Sequence, residues 1–159
     1  MKKNIKEMSR KLTSTEILRK VILKEDPRKI VFIHDLMVFG MDVDDGWYDL
    51  IDTLCHGIQR YVDNHNDYIK TKWATAEEKK AGPISVKVDQ IKEKYGGLRF
   101  YISGGDDALF SMIMMAEDMS YRICEVCGNR GGLSKRDGWY KTLCESCRNT
   151  KYKEYKLLK

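Results

Sequence analysis

The chain has 159 residues, of which 42% are hydrophobic, 33% are charged and only two are proline, and its formal net charge is +5. This composition is globular and excludes a low-complexity disordered chain. No apolar run approaches the roughly 20 residues of a membrane-spanning helix, which excludes an integral membrane protein. The amino terminus is basic and no apolar signal-peptide core follows it, so we expect a cytoplasmic protein.

The charge is distributed unevenly along the chain. Residues 1–34 carry a net charge of +6, residues 35–68 carry −7, and residues 124–159 carry +5. Basic segments at both ends are compatible with a nucleic acid or an acidic protein as partner.

The first predicted helix follows a polar, basic arm at residues 1–12. Thr13 and Glu16 have the spacing of a capping box, in which the two residues satisfy each other's backbone amides. Apolar residues at helical spacing follow, and Asp26–Pro27 ends the pattern. This stripe consists of Ile17, Leu18, Val21 and Ile22. The sequence therefore predicts an amphipathic helix over residues 13–25.

A second helix and a β-hairpin are predicted further along the chain. Asp45–Gly46 marks a turn, after which apolar residues recur at helical spacing. This stripe consists of Leu50, Ile51, Leu54, Cys55, Ile58, Tyr61 and Val62. Ile84–Val88 and Leu98–Ile102 have the composition of strands, and Tyr95–Gly97 lies between them as the turn of a hairpin.

A third helix is predicted over residues 107–123, where it leads directly into the first cysteine pair. Gly104 and Gly105 end the second strand, and Asp106 caps the helix. Its buried stripe consists of Leu109, Met112, Ile113, Ala116 and Met119. The helices and the hairpin together predict an α+β domain over residues 1–123.

Five cysteines are present, and four of them form two C-x-x-C pairs. Cys124 pairs with Cys127 and Cys144 with Cys147, and residues 128–143 separate the pairs. A C-x-x-C turn lets two sulfurs converge on one ion, and two such turns complete a tetrahedral zinc site. An odd cysteine count without a secretory signal argues against a disulfide framework. The sequence therefore predicts one Zn²⁺ ion held by these four residues.

The order of the elements around the pairs predicts a treble-clef zinc module, with a zinc ribbon as the alternative. The first pair forms a knuckle, and Asp137–Gly138 is typical of a hairpin turn. The second pair opens a segment, residues 148–159, that is predicted to be helical and to present its amides to the thiolates. The module spans residues 124–159, and we expect the helix over residues 107–123 to fuse it to the first domain.

Four thiolates leave no open position on the ion, which favours a structural role over a catalytic one. Redox C-x-x-C motifs usually follow a βαβ pattern, which this sequence lacks. Iron in the same sulfur site stays an alternative. A treble clef can carry a nuclease site of the HNH type, but residues 128–143 contain no histidine.

An enzyme is the third-ranked interpretation, because no acid–base pair or nucleophile stands at a recognisable spacing. Asp42, Asp44 and Asp45 suggest a divalent cation, but Gly46 comes one residue too early for an EF-hand loop. Capping of the following helix by Asp44 or Asp45 explains these residues more simply.

Three blocks of the sequence resemble a family of small uncharacterised proteins of bacteria, prophages and phages. The blocks lie within Phe39–Leu54, Gln90–Tyr101 and Cys124–Cys147, and the resemblance covers roughly residues 38–148. The central block reads QIKEKYGGLRFY, and the last contains C-x-x-C-G, G-W and T-L-C-x-x-C. The family has no activity to carry over, so the resemblance implies a cytoplasmic, phage-related origin and no catalytic residue.

The predicted hairpin combines cationic and aromatic side chains, which suits phosphate contact and base stacking. The candidate binding residues are Lys92, Lys94, Tyr95, Arg99 and Tyr101. Ordinary strand packing with solvated cations is the alternative. We expect a zinc-stabilised, non-catalytic interaction protein that, if phage-encoded, binds a host or defence protein. The second hypothesis is a nucleic-acid-binding protein that uses the basic ends and this hairpin.

Overall fold

The computed structural model describes residues 41–158. The arm at residues 1–12 and the helix predicted over residues 13–25 lie outside the described residues. The helices and strands are, in chain order, α1 (Tyr48–Tyr68), α2 (Ala76–Ala81), β1 (Val86–Lys94), β2 (Gly97–Gly104), α3 (Asp107–Ser120), β3 (Gly132–Arg136), β4 (Trp139–Leu143), α4 (Glu145–Thr150) and β5 (Lys156–Leu157). A 3-10 turn at Asp45–Trp47 precedes α1. This mixture of helices and small sheets confirms the predicted α+β class.

One apolar core joins α1, the β1–β2 hairpin and α3, because each presents a single apolar face to the others. The largest contributors are Trp47, Leu54, Ile58, Ile91, Leu98, Phe100, Leu109 and Ile113. The stripe predicted for α1 is buried nearly as expected. The stripe of α3 differs at one end, where Met119 is 45% exposed because no described element covers it.

The β1–β2 hairpin turns through Tyr95–Gly96, with Lys94 paired to Gly97. Both turn residues have positive φ, 55° for Tyr95 and 79° for Gly96. This is the geometry of a type I′ turn, whose twist matches that of the flanking strands. Glycine adopts such a φ readily, whereas a tyrosine there is under strain.

Neighbouring residues cover both edges of this two-stranded sheet. Beside β1, the Asp42 amide donates to the Ile91 carbonyl at 3.1 Å, and the Glu93 amide donates to the Asp42 carbonyl at 2.9 Å. Beside β2, side chains of α3 accept from two strand amides. These bonds join Leu98 N to Ser120 Oγ and Phe100 N to Glu117 Oε1. The hairpin is therefore held in one position against α3.

The carboxy-terminal part forms a three-stranded sheet in the order β4–β3–β5. The predicted turn at Asp137–Gly138 joins β3 to β4, and Arg136 pairs with Trp139 across it. The helix predicted over residues 148–159 is wrong for most of its length. The helix α4 ends at Thr150, and β5 pairs with β3. Strand β4 pairs with one edge of β3. Strand β5 pairs with the other edge and satisfies the backbone hydrogen-bonding groups there.

Candidate metal centre

Four cysteine sulfurs converge between the first C-x-x-C turn and α4. The Sγ atoms of Cys124, Cys127, Cys144 and Cys147 all lie within 4.8 Å of one another. Cys127 Sγ is 3.6 Å from both Cys144 Sγ and Cys147 Sγ. Four sulfurs placed about 2.3 Å from one ion in a tetrahedron would lie about 3.8 Å apart, whereas a disulfide needs about 2.05 Å. The four cysteines thus form a single candidate structural zinc site.

A backbone amide stabilises the thiolate form of one of these cysteines, Cys144. Cys144 is the N-cap of α4, and its Sγ accepts from the Cys147 amide at 3.4 Å. That hydrogen bond is the main reason why the pKa of Cys144 falls to about 7. Burial raises the pKa of Cys124 and of Cys147. Zinc binds cysteine as thiolate, so loading the site releases protons.

Within the first C-x-x-C turn, Glu125 carries a buried carboxylate with a defined partner. Its Oε2 accepts from Lys141 Nζ at 2.7 Å, and its side chain is 3% exposed. The same ammonium donates to Asp44 Oδ2 at 3.1 Å. Burial raises the pKa of Glu125 against the opposing effect of Lys141. For Lys141 burial acts to lower the pKa, but its bonds to both carboxylates raise it overall.

The turn before α1 packs directly on the first C-x-x-C turn. The Gly46 amide donates to the Glu125 carbonyl at 2.7 Å. A Cβ on Gly46 would collide with the Cys124 carbonyl and lie 2.6 Å from the Cys127 amide nitrogen. Trp47 is fully buried, and its Nε1 donates to the Ile123 carbonyl at 2.8 Å. The D-G-W motif therefore holds the metal module against the first core.

The β1–β2 turn meets the metal module on another side. Thr142 Oγ1 donates to the Gly96 carbonyl at 2.6 Å, and both residues are buried. A Cβ on Gly96 would collide with Leu133 of β3. The Y-G-G motif thus fixes the hairpin tip beside the sheet β4–β3–β5.

This docking brings the two hairpin turns together. Tyr95 and Trp139 are 64% and 70% exposed, and Tyr95 contacts Tyr140 edge-to-face with ring centroids 6.2 Å apart. A cleft of about 470 Å³ lies between the turns. We call its lining the twin-turn surface, which consists of Glu93, Lys94, Tyr95, Asp137, Gly138, Trp139 and Tyr140.

The candidate binding residues predicted on the hairpin occupy two kinds of position. Lys92 Nζ lies 5.2 Å from the centre of the Tyr101 ring, and Lys94 Nζ lies 5.5 Å from that of Tyr95. Lys94, Tyr95 and Tyr101 are exposed. Arg99 instead faces its own fold.

Arg99 is bound to two groups near α3. It donates to Tyr121 Oη at 3.1 Å and lies 3.8 Å from the Glu117 carboxylate. The guanidinium is therefore held in place by residues of the same fold, and these contacts fix the hairpin beside α3.

Asp44 does not cap the following helix as predicted. Asp44 occupies the N-cap position of the 3-10 turn but makes no side-chain capping bond, because Lys141 draws its carboxylate towards β4. Asp42 pairs with β1 through its backbone. No local sequence pattern predicted the ion pair between Glu125 and Lys141 or the exposure of Trp139.

Comparisons of the chain with protein-family models, with curated proteins and with solved structures find no match. Among the helices of residues 41–158, none has the length and apolar character needed to cross a membrane.

Proposed function

We propose that this chain is a zinc-stabilised, non-catalytic interaction protein that recognises a protein partner through the twin-turn surface. The observation that carries the proposal is the pair of exposed aromatic side chains, Tyr95 and Trp139, on adjacent turns. Exposed aromatic residues on a rigid scaffold are typical of interaction surfaces.

The metal module supports this proposal by fixing the position of one turn. We infer a treble clef, in which the knuckle at Cys124–Cys127, the β3–β4 hairpin and α4 surround the ion. Zinc would crosslink the knuckle to α4 and so stabilise the module. The module and the described part of the first domain, residues 41–123, then act as one unit, because Gly46 and Gly96 are in close contact with the module.

The charges of the cleft favour a protein over a nucleic acid. Glu93 and Asp137 place two carboxylates in the lining beside the ammonium of Lys94, and Lys135 adds a second ammonium over the Tyr140 ring. This mixed surface lacks the excess of cations that phosphate contact needs, and it can pair with side chains of both signs on a protein partner. The family resemblance, and a host or defence protein as partner, remain predictions.

Nucleic-acid binding is the second candidate, and a separate observation favours it. Lysines lie over aromatic rings on both hairpins, with Lys135 Nζ 5.3 Å from the Tyr140 ring centre. Cations beside exposed rings suit backbone contact and base stacking on a single strand.

One experiment separates the candidates. We would isolate the tagged chain from a lysate of its source cell, with and without nuclease, and measure which proteins it retains stoichiometrically. We expect Trp139→Ala to lose the partner. Trp73→Ala should retain it, because Trp73 is equally exposed at 73% but lies outside the twin-turn surface.

The proposal is contradicted if the wild type retains no protein or if both variants retain the same one. Loss of the partner on nuclease treatment favours the second candidate. So does binding of labelled oligo-dT or oligo-rU that weakens steeply with salt in a fluorescence-anisotropy titration.

A further inference from the structure

Helix α3 is apolar on two opposite faces. One face packs into the core through Leu109, Ile113 and Ala116. The opposite face is open to solvent and includes Met114 and Met115, which are 63% and 62% exposed. We call it the outer face of α3, and it consists of Asp107, Phe110, Ser111, Met114, Met115, Asp118, Met119 and, just after the helix, Arg122. A helix that is apolar all round normally has both faces covered.

The apolar side chains of the outer face form one continuous patch. A cleft of about 390 Å³ runs along it and is lined by Ser111, Met114, Met115, Asp118, Met119 and Arg122. Phe110 is 47% exposed and precedes Met114 by one helical turn, so it extends the patch towards the start of α3. A continuous exposed patch of this kind marks a protein contact, and flexible methionine side chains pack well on an apolar partner.

The residues of the outer face are arranged symmetrically about its centre, which is the pair Met114–Met115. Phe110 and Met119 lie equally far from this centre along the chain, and so do Asp107 and Arg122. If two copies of α3 cross antiparallel about a twofold axis at the centre, each residue faces its symmetric equivalent in the other copy. Apolar side chains then meet apolar side chains, and opposite charges meet at both ends. This self-complementarity identifies a second copy of the chain as the partner.

Each charged residue of the outer face is accommodated in such a pair. Asp107 of one copy faces Arg122 of the other, and the symmetry makes this contact twice. Asp118 faces Ser111 of the other copy and lies one turn from Arg122 of its own chain, so its carboxylate has a cation within reach. Glu117, the next acidic residue, points elsewhere, because its carboxylate accepts from a β2 amide at 2.9 Å.

The groove between α1 and α3, about 620 Å³ in volume, borders the same face and does not disturb this charge pattern. Met115 and Met119 line the groove on its α3 side. Asp49 and Arg60, on its α1 side, contribute one charge of each sign. The charges at the two ends of the outer face therefore decide how two copies are oriented.

We propose that two copies of this chain pair through the outer faces of α3, antiparallel and about a twofold axis between Met114 and Met115. A contact confined to one helix face belongs to the smallest class of interfaces, below about 1,200 Å² in total, so we expect a dissociation constant of micromolar order. The dimer presents two copies of the twin-turn surface, because that surface shares no residue with the outer face. The pairing is thus independent of the proposed function.

Sedimentation equilibrium of the zinc-loaded, full-length chain tests the pairing. At low salt, we expect the mass to rise from one chain to two as the concentration increases through the micromolar range. Met114→Glu places a charge beside the twofold axis and should leave a single chain at every concentration. Trp73→Glu is the matched control, because it changes the charge equally and removes an apolar side chain that is 73% exposed but lies outside α3.

Charge reversal tests the antiparallel orientation. Asp107→Arg and Arg122→Asp each bring like charges together at both ends of the interface. Each should raise the dissociation constant at least about tenfold, since the altered contact occurs twice. The double variant Asp107→Arg/Arg122→Asp restores opposite charges and should recover most of the affinity. Circular dichroism checks that every variant remains folded.

A mass of one chain at all concentrations would overturn the proposal. So would a dimer that persists in Met114→Glu, because the contact would then lie elsewhere. Single reversals without effect, or a double variant as weak as the single ones, would exclude the antiparallel pairing. A pull-down through the twin-turn surface is a separate measurement, so these outcomes leave the proposed function unaffected.

Discussion

Lys141 of β4 and Glu125 of the first C-x-x-C turn form an ion pair with 2.7 Å between Nζ and Oε2, and the Glu125 side chain is 3% exposed. The ammonium also reaches Asp44, 3.1 Å away in the segment before α1. One lysine therefore links the metal knuckle, the sheet beside it and the entry to the first core.

Replacement of Lys141 by methionine is expected to reduce the free energy of unfolding by about 3–5 kcal/mol, because it leaves the Glu125 carboxylate buried without a partner. Urea unfolding followed by circular dichroism measures the loss. The double variant Lys141→Met/Glu125→Met should recover most of it, since it removes both charges.

Lys135→Met serves as the control, because Lys135 is an exposed lysine on the adjacent strand. Its change should stay within about 1 kcal/mol. Equal losses in Lys141→Met and Lys135→Met would show that the buried pair does not stabilise the fold.

Gly46 allows the turn before α1 to approach the knuckle, so an added methyl group should separate them. In Gly46→Ala the Cβ would lie 2.5 Å from the Glu125 carbonyl oxygen and 2.6 Å from the Cys127 amide nitrogen. These contacts are with backbone, which cannot rotate away. We expect a loss of at least about 1–3 kcal/mol in urea unfolding and faster release of zinc to a chelator.

Gly57→Ala is the control, and we expect it to raise the free energy of unfolding where Gly46→Ala lowers it. A Cβ at Gly57 meets nothing within 4 Å, and the residue lies inside α1. Alanine is favoured over glycine in a helix by about 1 kcal/mol, so this variant should be more stable than the wild type. If both alanine variants behaved alike, the close approach at Gly46 would not be a constraint.

Tyr95 keeps an unfavourable backbone conformation at an exposed position, which suggests a role in binding. Asparagine tolerates positive φ better and suits the first position of a type I′ turn. Relief of strain in Tyr95→Asn offsets the lost contact with Tyr140, so the midpoint of thermal unfolding should change by no more than about 5 °C. The same variant should lose the partner that the wild type retains in the pull-down. A large fall in that midpoint would instead assign Tyr95 a structural role.

Local patterns were sufficient to predict several elements of the fold. The strand patterns at Ile84–Val88 and Leu98–Ile102, with a glycine-containing turn between them, predicted the hairpin. Asp106 caps α3 as predicted, by accepting from the Leu109 amide. The spacing of the two C-x-x-C pairs identified the four clustered sulfurs, because C-x-x-C geometry is set within a few residues.

Long-range contacts could not be predicted in this way. Whether the helix α4 continues beyond Thr150 depends on the edge of β3 that β4 leaves unpaired, because β5 pairs with that edge. The exposure of Met119 depends on which elements cover α3. The contact of Asp44 with Lys141 joins residues 97 positions apart. Neither partner has a local signal, because the pairing exists only once the metal module packs on the turn before α1.

The most direct test of the metal centre is zinc K-edge X-ray absorption on the purified chain, with metal content measured by mass spectrometry. We expect one zinc per chain surrounded by four sulfurs at about 2.3 Å. Cys144→Ser should lose the metal, whereas Cys55→Ala should keep it, because Cys55 lies in the separate core of α1. Disulfide bonds between these four cysteines, or fewer than four sulfur neighbours around the ion, would contradict a closed tetrathiolate site.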